Sequence, residues 1–263
     1  MSQNNSLTAA DVAKLMEEPS GENRATAATK IAEHLNEGSL SDAERSLAED
    51  IFRVMVRDVE QRVRRALSES LRETDSLPRD IALSLANDVE DIAVPFLELT
   101  KSLTDEDLVV IIQSKGEEHH KAIARRENVS ETISDALVET QNEDVVATLV
   151  SNDGAALSDT TMNKVLDDFG HVKKISTPMA QRASLPLDVA ERLVSLVSDK
   201  IQEKLLTHQE LSSDMAMDLI LQSRERATVS LLDGTSEAPD VHALVKQLHQ
   251  NGRLTPTLII RAL

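Results

Sequence analysis

Apolar residues recur along this chain at the three- and four-residue intervals of an amphipathic helix, and no useful run alternates as a half-buried strand would. One pattern repeats. An apolar residue is followed by Pro, Ser or Thr, then by an acidic residue, then by apolar positions four and eight residues on. Leu77-Pro78-Arg79-Asp80-Ile81 leads to Leu85, and Val129-Ser130-Glu131-Thr132-Ile133 to Leu137. Leu185-Pro186-Leu187-Asp188-Val189 leads to Leu193, and Leu211-Ser212-Ser213-Asp214-Met215 to Leu219. Looser copies begin at Leu7, Leu40, Leu103 and Leu157, so successive starts are spaced by 33, 37, 26, 26, 28, 28 and 26 residues.

Each start reads as a helix N-terminus. Ser, Thr or Asp caps the first-turn N–H groups, Pro is preorganised there, and an acidic side chain complements the helix dipole. Beyond each start lies a second apolar segment. Val89, Ile92, Ala93, Phe96 and Leu97 form it in the third unit, Val145, Val146, Leu149 and Val150 in the fifth, and Ile201 and Leu205 in the seventh. Every unit is then a pair of helices of about ten residues, too short to be stable alone and stable only when stacked. The expected fold is an all-α, right-handed α-solenoid of short helical hairpins; the alternative is a compact helical bundle with coincidental spacing. The longer spacings set residues 1–75 apart as a possible cap, 76–232 as the regular repeats of 26–28 residues, and 233–263 as C-terminal helices. Leu254-Thr255-Pro256-Thr257-Leu258 restarts the motif and the chain stops at Leu263 inside it, which predicts about eight units plus a truncated ninth.

Composition narrows the chemistry. The 263 residues include no Cys, Trp or Tyr and only three Phe, which excludes thiolate metal sites, disulfides, cysteine nucleophiles and aromatic platforms for nucleic-acid bases. Lys and Arg number 28 against 46 Asp and Glu, a net charge of −18. Phosphate backbones and anionic membranes repel such a surface, so neither nucleic acid nor membrane is an expected partner. The longest aliphatic run, Leu108 to Ile112, is five residues, and Met1 to Ser6 has neither a basic nor an apolar segment of a secretory signal. A cytoplasmic protein is the expectation.

Asp58-Val59-Glu60-Gln61-Arg62-Val63-Arg64-Arg65-Ala66-Leu67 resembles the second helix of a HEAT repeat. Together with Leu77-Pro78-Arg79-Asp80-Ile81-Ala82, Ile92-Ala93-Val94-Pro95-Phe96-Leu97, Leu103-Thr104-Asp105-Glu106-Asp107-Leu108 and Asn251-Gly252-Arg253-Leu254-Thr255-Pro256, it makes nearly the whole chain similar to a family of alphaproteobacterial HEAT-like proteins known only as a domain of unknown function. The resemblance implies HEAT-like hairpins and a chain that continues past the Leu-Thr-Pro segment. It carries no catalytic residues.

Two charged clusters are candidate sites. Between Glu127 and Gly170 lie ten acidic residues and one basic residue, Lys164. Glu131, Asp135 and Glu139 recur every four residues and so share one line of a helix, with Glu143, Asp144, Asp167 and Asp168 following. This stretch is either a docking surface for a basic partner segment or a solvated face that keeps the protein in solution. The second cluster is basic: Arg57, Arg62, Arg64 and Arg65 suit recognition of an anionic, nucleotide-like molecule. Interleaved carboxylates offer the competing reading, a ladder of ion pairs between repeats. Glu117-Glu118-His119-His120 contains metal-type ligands, but adjacent helical residues diverge by about 100° and cannot converge on one ion. No metal or cofactor is expected, and no catalytic constellation is recognisable. The expected function is a non-enzymatic scaffold or adaptor of a regulatory or signalling kind that binds a protein partner through a basic or amphipathic segment; the alternative is a sensor of an anionic, nucleotide-like small molecule at the arginine cluster.

Overall fold

The computed structural model of the protein describes residues 20–38, 40–74, 77–182 and 185–196, with the single positions 227, 245, 246, 248 and 249. Eleven helices are defined among them: α1 (Gly21–Asn36), α2 (Asp42–Met55), α3 (Gln61–Leu71), α4 (Arg79–Ala86), α5 (Glu90–Leu99), α6 (Asp105–Ser114), α7 (Glu117–Ala124), α8 (Glu131–Glu139), α9 (Glu143–Val150), α10 (Asp159–Phe169) and α11 (Lys173–Gln181). Residues 187–196 are helical as well. The described residues contain no strand, only a single bridge between Val129 and Ala155.

Every described start of the repeated motif opens a helix two residues later: α2 after Leu40, α4 after Leu77, α6 after Leu103, α8 after Val129 and α10 after Leu157. At four of these starts the side chain of the residue between caps the helix, whereas at α4 that residue is Pro78, which makes no side-chain cap bond. Ser41, Thr104, Ser130 and Ser158 accept hydrogen bonds from the N–H groups of Glu44, Asp107, Ile133 and Thr161. At Ser41 and Thr104 the acidic side chain three residues on returns the bond to the cap's own N–H, completing a capping box. The starts expected at Leu7 and Leu211, and the stripe residues Ile201 and Leu205, lie outside the described residues, as does nearly all of 197–263.

The chain divides into two compact units, Met1–Ala156 and Leu157–Leu263. In the first, the second helices of successive hairpins stack in the order α1, α3, α5, α7, α9, and the first helices pack as α2 on α4 and α6 on α8. This two-layer arrangement of neighbouring hairpins is that of a helical-repeat solenoid. Its core runs between the layers through Phe52, Leu67, Ile81, Leu85, Ile92, Phe96, Ile123 and Leu137, all fully buried. In the second unit α10 packs on α11. No helix among the described residues is long and apolar enough to cross a membrane.

Between the starts at Leu40 and Leu77 the longer spacing lies partly in the helices: α2 and α3 run to 14 and 11 residues, whereas α4 and α5 run to 8 and 10. The connections between them are longer as well. One expected core residue is not in the core: Val89 stands at the N-cap of α5, outside the helical stripe, and is 45% exposed.

Candidate functional site

Consecutive repeats are tied together by polar contacts about one period apart. Arg64 clasps Asp88 with Nε–Oδ2 at 2.6 Å and Nη2–Oδ1 at 2.9 Å, while its Nη1 donates to the Asp58 carbonyl at 2.7 Å. Arg53 donates to Asp80 at 2.8 Å, Arg65 to Asp91 at 3.1 Å, and Arg79 Nε to both oxygens of Asp107 at 3.1 and 3.0 Å. Earlier in the chain Arg24 holds Asp58 at 2.6 and 2.9 Å. The Arg24 hydrogen bonds keep the Asp58 carboxyl below the usual carboxylate range despite partial burial, and the Arg79 bonds do the same for Asp107. At Asp88 burial pushes the pKa up, but the Arg64 guanidinium and the Val89 N–H outweigh it and hold the carboxyl low.

A second ladder runs along the C-terminal ends of the second helices, where carbonyls lack intrahelical donors. Asn36 Nδ2 donates to the Ser70 carbonyl, Ser102 Oγ to the Thr74 carbonyl, and Arg126 to the Leu97 and Thr100 carbonyls at 2.5 and 2.7 Å. Asn152 Nδ2 donates to the carbonyls of Ala124 and Arg126. Both ladders hold one hairpin against the next.

The arginine cluster is largely consumed by this framework. Arg64 and Arg65 are in the ladder, and Arg62 pairs with Glu60 at 3.0 Å. Of the four candidate anion-binding arginines, Arg57 is exposed and makes no ion pair among the described residues. The acidic residues separate into two sets. Glu131, Asp135 and Glu139 lie exposed along α8, whose opposite face buries Ile133, Ser134, Leu137 and Val138, and Glu143 and Asp144 lie exposed in the first turn of α9. Asp167 and Asp168 belong to α10 in the second unit, where Asp167 accepts a hydrogen bond from Arg192. From 127 to 163 the chain contains no Lys or Arg.

One further site was not singled out from sequence. A pocket of about 710 Å³ is lined by Gln61, Asn87 to Asp91, Lys115 and His119. His119 is 4% exposed, and neither ring nitrogen makes a hydrogen bond within the protein. The Asp88 carbonyl lies near enough to favour a proton on the ring, but without hydrogen-bonding geometry. Burial, helped by the Lys115 charge, pushes the imidazole pKa down and disfavours the charged ring. Among the described residues no group of three His, Cys, Asp or Glu is arranged to hold a metal ion.

Stacked hairpins and inter-repeat ladders define a helical-repeat protein. The chain belongs to a family described as an uncharacterised protein conserved in bacteria (DUF2336), which matches residues 92–263. No curated protein and no solved structure gives a significant match.

Proposed function

We propose that this protein is a non-enzymatic cytoplasmic adaptor whose α8–α9 face holds a basic or amphipathic segment of a partner protein. The observation that carries the reading is charge segregation. Five carboxylates, Glu131, Asp135, Glu139, Glu143 and Asp144, lie exposed on two adjacent helices, in a stretch free of Lys and Arg. Like charges four residues apart on one helix cost a few tenths of a kcal/mol per pair in isolation, so the arrangement works against helix stability. A cationic segment laid along α8 removes that repulsion and is steered to the surface by the protein's overall negative field.

The test is affinity capture from the native cytoplasm with two baits, the wild type and a variant carrying Asp135→Asn, Glu139→Gln and Asp144→Asn. A stoichiometric partner that is lost with the variant, and whose binding weakens steeply with salt, supports the reading. A partner retained by the variant, or none with either bait, overturns it.

A further inference from the structure

Three successive second helices start without a side-chain cap, unlike α1 and α9, which Ser20 and Asn142 cap, and these uncapped starts meet at one pocket. α2, α6 and α8 begin with a Ser or Thr side chain bonded to the first turn. α3, α5 and α7 begin with Glu60, Val89 and Gly116, and none has a side-chain cap. These three helices are consecutive members of one stack. Gln61 is the first residue of α3, Glu90 and Asp91 are the first two of α5, and His119 is the third of α7, and all four line the 710 Å³ pocket. An uncapped helix start presents unpaired N–H groups and the positive end of a dipole. The N–H of Val89 is taken by Asp88 Oδ1 at 2.7 Å, but those of Glu90 and Asp91 have no acceptor among the described residues.

Two side chains add to these donors. Lys115 carries an ammonium whose three N–H bonds include one to the Asn87 carbonyl at 2.6 Å, leaving two. His119 is a buried imidazole with no partner at either nitrogen. Unsatisfied buried polar groups are rare in native folds and call for a partner. Carboxylates at the rim do not dominate the field. Asp88 is clasped by Arg64, Asp91 by Arg65, and Glu117 and Glu118 by Lys121. Glu90 is the lining carboxylate outside these pairs, and Lys115 opposes it.

We propose that this pocket binds the phosphate group of a small phosphate monoester, through Lys115, the N–H groups that open α5, and His119. The pocket exceeds the size of an inorganic phosphate, so it accommodates the rest of such a molecule. That remainder is polar and non-aromatic. Val89 is the one apolar side chain in the lining and no Phe, Tyr or Trp ring is there to stack a base, which disfavours nucleotides. The site draws on donors that the ion-pair ladder does not use, unlike the Arg64 and Arg65 side chains.

The probe is glucose 6-phosphate, titrated into the full-length protein and read by the ring-nitrogen NMR signals of His119, with glucose and potassium chloride at matched ionic strength as controls. Saturable shifts with the phosphate ester alone are expected. Lys115→Met, which removes no core side chain, should weaken binding about tenfold or more, the scale of one charge-assisted hydrogen bond. His119→Gln should weaken it too, and the Lys115 variant keeps the test independent of any folding defect there. An unchanged His119 signal at ligand concentrations of about 10 mM, above typical small-metabolite affinities, overturns the site. So does a shift of equal size in Lys115→Met, or with glucose or salt.

Discussion

Arg64→Ala should be among the most damaging single substitutions in the first unit. The Arg64 side chain is 15% exposed and that of Asp88 is 8% exposed. Truncating Arg64 removes two bonds to Asp88 and one to the Asp58 carbonyl. It leaves a carboxylate in a poorly solvated position with the Val89 N–H and the Lys115 charge as its remaining support. Breaking a buried pair from one side costs about 3–5 kcal/mol, and the residual exposure here places the cost near the lower limit, about 3 kcal/mol. For a unit of this size that corresponds to a fall in Tm of about 6–12 °C. Arg62→Ala is the internal control, because its pair with Glu60 is surface-exposed and within about 0.5 kcal/mol of neutral. The double variant Arg64→Met, Asp88→Leu should cost less than the two single changes summed, since it leaves no uncompensated charge. pH provides a further check. Asp88 has a folded pKa below its unfolded value, so the pair's contribution is fully present above the unfolded pKa and is lost as pH falls through the lower folded one. The gap between wild type and Arg64→Ala should therefore be constant above about pH 5 and close below about pH 4. Thermal or urea unfolding measures all of this. An Arg64→Ala cost no larger than that of Arg62→Ala would refute the argument that the ladder is structural.

Three other substitutions probe separate parts of the fold. Gly154→Ala would set a Cβ 1.9 Å from the Glu127 carbonyl, beside the loop bridge that joins Val129 to Gly154 and Ala156, and should cost about 2–3 kcal/mol by urea denaturation. Thr104→Ala deletes one half of the α6 capping box and should cost about 1 kcal/mol, with Thr104→Ser close to neutral. His119 has a depressed folded pKa, so the unfolded chain takes up a proton that the folded ring refuses. Stability should decline as pH falls below about 6.5, and His119→Gln should flatten that limb of a pH–Tm curve.

The helices were legible because their signals are local. A cap residue, an acidic first turn and two apolar positions within eight residues specify α4 or α8 without reference to anything distant, and the near-constant period gives the stacking. The ladder was half legible. Arginines interleaved with carboxylates in 53–73 suggest ion pairs between repeats, but the pairing of Arg64 with Asp88 rather than a nearer acid depends on the turn between α4 and α5. The His119 pocket was not legible at all. In the sequence Glu117-Glu118-His119-His120 carries only metal-type ligands on diverging helical positions, yet the stacking of α7 on α5 buries both histidines. Angular divergence of adjacent residues correctly argues against one ion held by both rings. It gives no indication that His120 would settle on the Ile112 carbonyl at 2.8 Å while His119 turned to a different wall without a partner.

The two ladders also explain how so acidic a chain holds a regular fold. Carboxylates in the first turn of a helix or in the turn just before it are matched to a guanidinium one repeat away, as at Asp58, Asp80, Asp88, Asp91 and Asp107. Basic residues are thereby spent at the joints between hairpins, and with 46 acids to 28 bases the surplus acids are left to surfaces that the joints do not use. The repeat from Glu127 onward is where this becomes extreme. Its joint to the preceding hairpin is made by neutral groups: Ser130 Oγ donates to Asp105, Asn142 Nδ2 to Glu117, and Asn152 Nδ2 to the Ala124 and Arg126 carbonyls. Amides and a hydroxyl do there what arginines do elsewhere. Substituting Asp135 or Glu139 removes none of the Ser130, Asn142 and Asn152 side chains that make this joint, so partner binding and the joint's stability can be read separately at that face.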